Sequence, residues 1–394
     1  TLLPGDRHRE QKANQPMTHT MMSRERLWAA LSGQQPDRVP IWMLYPRERL
    51  SYYVDVHSLP SYQHIMPAIW EQTDWLDRRG IPAPPFQTAA AEIETHVEQN
   101  QGWTIRRQVL HTPLGDLTSE HRQDEENAAG ATTEHFCKRI EDLAKILSIP
   151  YEPVEPDLTE FHTAAAGLGD AGLMMVDLGM PIGVAYNLAR PEDFAIWTLT
   201  EREMLVDFTR IMAERQTTFL KKALDAGAGP VFFAVGTEFV APPMCSPETF
   251  DALITPFDAP IFDMIHSYGG RVIVHHHGNI GGILERIADL GADAIQPIEE
   301  PPIGDCAFAE AKARIGDRVC LVGTVQYDDF ERLAPAQMEA LVKRQIRDGG
   351  EGGGMILAPT AGPYAANLTE RQQANTLRFI AAGHSWGQYP LSWR

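Results

Sequence analysis

From residue 136 onward short apolar runs alternate with longer amphipathic stretches, and this rhythm restricts the fold more than any other feature of the chain. Runs at 173–178, 231–235, 272–277, 294–298, 319–322 and 355–358 have the length and composition of buried strands. Helical stretches separate or follow them at 201–223, 247–268, 280–290, 308–314, 335–347 and 369–382. A further strand is expected at 39–44, behind a first helix with Ser23 as N-cap, Arg26 placed to pair with the following turn, and Gly33 as its end. The stretch 47–135 is irregular and rich in Gln, Thr and charge; it must supply the remaining strand. It also carries a hairpin over 104–119 that turns at Thr112, Pro113, Leu114 and Gly115. Repeated βα units with apolar strands demand a parallel sheet covered by helices. Their number predicts an α/β fold, a (β/α)8 TIM barrel with a long N-terminal excursion between the early strands, as one domain over 23–394. Residues 1–22 are expected to be a disordered extension.

In such a barrel the chemistry sits where strands end. The run RVIVHHHGN at 271–279 closes one strand with three histidines. Side chains alternate along a strand, so His275 and His277 share a face and His276 takes the other. Two imidazoles at a barrel mouth can bind a metal, although histidines satisfied inside the barrel give the same pattern. His276 is then a residue packed behind the strand or one that supports the reacting groups. The next strand ends in IEEPPIGD at 298–305, and alternation lets only one of Glu299 and Glu300 face inward. Glu238, at the end of the 231–235 strand, suits a general acid/base or a further ligand, against an ordinary ion pair. Asp177, Thr324, Gln326, Thr360 and Tyr364 complete the polar rim, and Tyr186 with Asn187 is placed to line a pocket.

Composition narrows the partners. Lys and Arg number 34 against 53 Asp and Glu, a net charge of −19 that disfavours nucleic acid and anionic membranes. Cys137, Cys245, Cys306 and Cys320 form no C-x-x-C and fit reduced thiols in a cytoplasmic protein. No run is long enough to span a membrane. The glycine-rich 349–354 lacks the Lys-Ser/Thr of a phosphate loop and precedes a strand, so it is expected to be a turn. Trp386, Tyr389 and Trp393 are expected to pack on the barrel or on a second subunit, which leaves a homodimer open.

Several segments together resemble the uroporphyrinogen decarboxylase superfamily, and its corrinoid-dependent methyltransferase branch more than its decarboxylases. They are RLWAAL at 26–31 with PDRVP at 36–40, TPLG at 112–115, SPETF at 246–250, HHHGN at 275–279, EEPPIGD at 299–305 and GMILAP at 354–359. In the zinc enzymes of that branch a His-x-Cys pair, a later Cys and a Glu hold the ion. The resemblance places His275 on the His, His277 on the first Cys and Glu299 on the Glu, with Ala361 where the later Cys is found. A His/His/Glu set makes a harder metal, suited to polarising an oxygen or nitrogen substituent more than to activating a thiol. The decarboxylases' Arg-rich N-terminal segment is replaced by Tyr45, Pro46 and Arg47, with Asp74 and Trp75 nearby.

The resemblance implies a metal-dependent methyltransferase. A divalent metal, zinc by family habit, is expected on His275, His277 and Glu299, with Glu238, Tyr186 and His276 as catalytic groups. It implies a small methylated donor, of aryl methyl ether or methylamine type, and transfer to a corrinoid on a separate protein, since no Asp-x-His-x-x-Gly occurs here. The alternatives are a metal-independent decarboxylase of a tetrapyrrole or aromatic acid and a non-catalytic corrinoid or tetrapyrrole binder.

Overall fold

The computed structural model describes residues 20–50, 54–124 and 130–393, so most of the extension expected at 1–22 lies outside the described residues. β1 (Trp75–Arg79) is followed by β2 (Glu92–Asn100), β3 (Trp103–His111), β4 (Leu117–Asp124) and β5 (Gly130–Glu134), and these last four pair antiparallel in that order. Then come β6 (Gly172–Gly179), β7 (Val231–Val235), β8 (Arg271–His275), β9 (Ala294–Gln296), β10 (Cys320–Val322) and β11 (Met355–Ile356). With β1 they make a curled parallel sheet of seven strands, ordered β1-β6-β7-β8-β9-β10-β11.

Alternation sorts the side chains of this sheet. Leu76, Leu173, Met175, Val231, Phe233, Ile273, Ala294, Val322 and Ile356 form an inner core, while Val176, Phe232, Val272, Val274 and Leu321 face the helices. The helix Ser23–Leu31 plugs the N-terminal end of the sheet by adding Leu27, Ala30 and Leu31 to the inner core. Its N-cap is Met22 and not Ser23, with the Glu25 carboxylate accepting from the Met22 N–H at 3.0 Å.

The eighth strand expected at 39–44 is the principal correction. That segment closes the gap between β11 and β1 without becoming a strand of the sheet. It makes one parallel bridge, Ile41 to Leu357. Pro40 has no N–H to offer a ladder, and the Asp74 carboxylate, not a backbone carbonyl, accepts from the Ile41 N–H at 2.9 Å. The same carboxylate takes Arg26 Nη1 at 2.7 Å and Arg38 Nη1 at 2.8 Å, and Asp37 holds Arg26 Nε at 2.6 Å. Arg26 therefore pairs with the start of β1 as well as with the turn after its helix. The described architecture is α/β, a seven-stranded curled sheet of TIM-barrel type, and not a closed eight-stranded barrel.

Other expectations need smaller changes. The strand missing from 47–135 is β1, and the hairpin is β3–β4 within a four-stranded sheet, with Gly115 N–H donating to the Thr112 carbonyl at 3.0 Å. The helix expected at 247–268 divides into Pro247–Leu253 and Thr255–Ser267, because Pro256 cannot donate into the preceding turn. The four cysteines are buried and unpaired. Trp386 lies under Lys343 Nζ at 3.5 Å and Tyr389 donates to the Gly350 carbonyl, so both pack on the barrel. No helix among the described residues is long and apolar enough to cross a membrane.

Two buried carboxylates make opposite predictions. Asp74 is 1% exposed and saturated with donors, so Asp74→Ala takes from Arg38 its carboxylate partner and leaves Arg26 only the Asp37 carboxylate. The expected loss is about 3–5 kcal/mol in denaturant unfolding. Asp258, in the helix Thr255–Ser267, is fully buried, and neither of its oxygens has a hydrogen-bond partner among the described residues. Burial raises its pKa well above the usual aspartate range. The folded state then keeps a proton that the unfolded state releases, so this residue erodes stability as pH rises from the unfolded value towards the folded one. Asp258→Leu is expected to raise the melting temperature, with a gain larger at pH 8 than at pH 5; an equal or negative effect at both would contradict this.

Candidate active site at the C-terminal rim

Two residues beyond the inner apolar layer the same alternation places Arg78, Asp177, Val235, His275, Gln296, Thr324 and Thr360 at the C-terminal end of the sheet. Polar side chains at this depth need partners. Arg78 Nη2 donates to Asp177 at 2.8 Å, and its guanidinium carbon lies 4.3 Å over the Phe233 ring. Gln296 Nε2 donates to the Thr360 carbonyl at 3.3 Å, and Thr360 Oγ1 donates to Gln326 at 3.1 Å.

His275 ends β8 inside this layer. Its Nδ1 lies 2.6 Å from Gln296 Oε1, so Nδ1 carries the proton and Nε2 keeps its lone pair. Burial, reinforced by the neighbouring His277, pulls its pKa down to about 3, which keeps the ring neutral. His277 lies beyond the strand end with 42% of its side chain exposed, and its ring meets that of His275 edge to face at 4.7 Å between centroids. Its Nδ1 sits 3.2 Å from Glu299 Oε2. Gly278 follows with φ of 87°, a backbone that glycine adopts freely, and its N–H reaches the same oxygen at 2.7 Å. Burial works to raise the Glu299 pKa, yet His277 and the Gly278 N–H outweigh it and hold the carboxylate ionised.

Glu300 faces away. It accepts from Arg344 at 2.7 and 3.1 Å, from Gln345 at 3.1 Å and from the Phe308 N–H at 3.1 Å, which ties the loop to the helix Pro335–Gly349. The choice between the two glutamates left open by the sequence therefore falls to Glu299.

Glu238 rides on the short helical turn Thr237–Val240, with its carboxylate accepting from the Gly236 N–H at 3.1 Å. Burial raises its pKa, and His277 is near enough to pull the other way. Tyr186 stacks face to face on Phe239 at 3.8 Å, and burial followed by the charge of Glu238 raises its phenol pKa. Glu238 thus stands near His277, and Tyr186 stands behind the turn that bears Glu238.

His276 stands apart, 1% exposed behind β8. Its Nδ1 lies 3.1 Å from Thr237 Oγ1, which itself donates to the His275 carbonyl at 3.3 Å. Burial lowers its pKa to about 4, and its Nε2 has no partner among the described residues. Its place fits a residue that braces the Glu238 turn, and not one that touches a molecule in the mouth.

Of the expected trio, His275 and His277 meet ring to ring, and the Glu299 carboxylate stands behind His277. Among the described residues no group of three His, Cys, Asp or Glu side chains is grouped closely enough to hold an ion by itself. Gln296 was missed in the sequence because its amide signals nothing until it is placed beside His275. Arg78 was missed because β1 lies in the stretch that looked irregular.

The family model for uroporphyrinogen decarboxylase (URO-D) matches residues 124–382. Among solved structures, a methyltransferase from Methanosarcina mazei aligns at a TM-score of 0.60 and 18% identity, covering 93% of this chain and 99% of that one. No curated protein matches the sequence. The structural likeness carries the fold, and the family match covers more than half of the chain.

The division of labour between the glutamates is testable. Glu300→Ala is expected to lower unfolding stability by about 2 kcal/mol through loss of charge-assisted hydrogen bonds. It should leave the imidazole NMR signals of His275 and His277 in place, whereas Glu299→Ala should shift the His277 signals.

Proposed function

The chain belongs to the uroporphyrinogen decarboxylase family, and we propose that within it the protein is a metal-dependent methyltransferase acting on a small methylated compound. The observation that carries this reading is the pair His275 and His277, each with Nδ1 held by an oxygen and Nε2 without a hydrogen-bond partner among the described residues. Metal-binding histidines are prepared in this way, with the second ring nitrogen fixed by a carbonyl or carboxylate. The donor set fits a divalent ion of zinc type on the two Nε2 atoms, with Glu299 as the carboxylate that orients His277 from behind. The family's thiolate ligands are absent, which suits an oxygen or nitrogen leaving group. The methyltransferase from Methanosarcina mazei with the same fold supports the reaction class.

Bound at this pair, such an ion supplies Lewis-acid stabilisation of the charge that develops on the heteroatom as its methyl group departs. The chain's own residues supply the rest. Gln296 and Glu299 lock the tautomers of the two histidines, and His276 with Thr237 holds the turn that bears Glu238. Glu238, whose pKa burial raises, is the group placed to exchange a proton with the leaving heteroatom. The methyl acceptor in this reading is a corrinoid carried outside the chain and presented at the open rim.

A decarboxylase reading has less support. Arg47 lies 4.4 Å over Trp70, and Asp74 is consumed by Arg26 and Arg38 at the opposite end of the sheet.

Elemental analysis of the purified protein beside a His275→Ala/His277→Ala variant tests the proposal. About one divalent metal per chain is expected, lost in a variant that still folds, and Gln296→Leu should weaken metal binding roughly 10- to 100-fold. Methylation of cob(I)alamin by a donor panel, dependent on that metal, completes the test. Absence of metal in the intact protein after reconstitution would overturn the reading.

A further inference from the structure

A cavity of about 300 Å³ opens beside the rim, between the end of β6, the helix Pro181–Leu188 and the helix Arg202–Asp225. Its walls are largely apolar: Met180, Phe219, Leu220, Val235 and Phe239 all contribute. Two of these reach the candidate active site. Val235 pairs Cα to Cα with His275 across β7 and β8, about 4.8 Å away at ordinary strand spacing. Phe239 follows Glu238 on the same turn and is backed by Tyr186.

Of the four polar side chains on the wall, Asp177 and Gln216 are engaged within the protein, while Gln87 and Asn187 add neutral amides. Asp177 is the one charged side chain among the described lining residues, and Arg78 neutralises it at 2.8 Å. Gln216 donates its amide N–H to the Gly179 carbonyl at 2.6 Å. A cationic guest would find no unpaired carboxylate, and an anionic guest no unpaired cation, so either would lose hydration without return. The volume is at the small end for ligand clefts, enough for one substituted ring and too little for a tetrapyrrole. Aromatic side chains on a largely apolar wall favour a flat neutral guest.

We infer that this cavity holds the body of the substrate and selects a neutral aromatic methyl ether over methylammonium compounds and over polycarboxylate tetrapyrroles. The inference rests on the methyl-transfer reading for its chemistry, but the binding preference stands without it. The ring would lie against Phe239 and Phe219, with the ether oxygen directed past Val235 towards His275 and His277.

Binding to the full chain, measured by calorimetry and ligand-observed NMR, separates the two. The probes are methoxybenzene, trimethylammonium and benzoate. Two variants fill the cavity. Gly179→Leu is one, since a Cβ there meets nothing within 4 Å and its φ is not left-handed; Val184→Phe, from the adjoining helix, is the other. Methoxybenzene is expected to bind best, and each variant, shown folded by its melting curve, should weaken it roughly tenfold or more. That result with no methyl transfer to cob(I)alamin would uphold the pocket and sink the transferase reading. Preference for either charged probe, or unchanged methoxybenzene binding in both folded variants, would overturn the inference.

Discussion

The Asp74 carboxylate is the interaction on which the rest depends. A parallel sheet of seven strands has two edges, and the chain must seal the seam between them before anything at the rim can be held in register. Asp74 does so as a side chain replacing a strand: it takes the Ile41 N–H, Arg26 from the plugging helix and Arg38 from the segment that follows. A buried ion cluster of this kind adds little net stability over an apolar substitute, but losing Asp74 removes a buried partner from both arginines at once. It therefore enforces one way of closing the sheet.

The candidate site inherits its precision from that closure. On every inward row but that of Val235, the side chain changes from apolar to polar within two residues, as from Ile273 to His275 or from Ala294 to Gln296. The floor beneath the histidines is thus dry and rigid, and their Nδ1 atoms are occupied from the sides. Glu299 and Glu300, adjacent in sequence, are divided by the turn of the loop into a partner for His277 and a tie to a distant helix.

Much of this was legible in the chain itself. Apolar runs of strand length located β6 to β11, and period-two alternation separated His275 and His277 from His276 before any coordinates. The signal failed where charge masked a strand: β1 carries Asp77, Arg78 and Arg79, and so looks like surface. It failed again at 39–44, whose apolar content matches a strand although Pro40 and the Asp74 carboxylate remove most of its ladder. Contacts between residues far apart in sequence, such as Gln296 with Thr360 or Arg78 with Asp177, have no local signature at all.

The four-stranded sheet β2–β5 leads elsewhere. Only its base, through Ile93, Leu110 and Leu117, joins the main core; most of the residues beyond are exposed on both faces. Without an apolar face to bury, its outer half draws on backbone pairing and surface ion pairs such as Arg107 with Glu98 and Glu120. Local opening there requires none of the barrel's contacts to break, so the protein contains two cooperative units of unequal strength. Its amide protons would exchange with solvent long before those of β6 to β8. Substitutions along its outer half would carry little penalty for the main sheet.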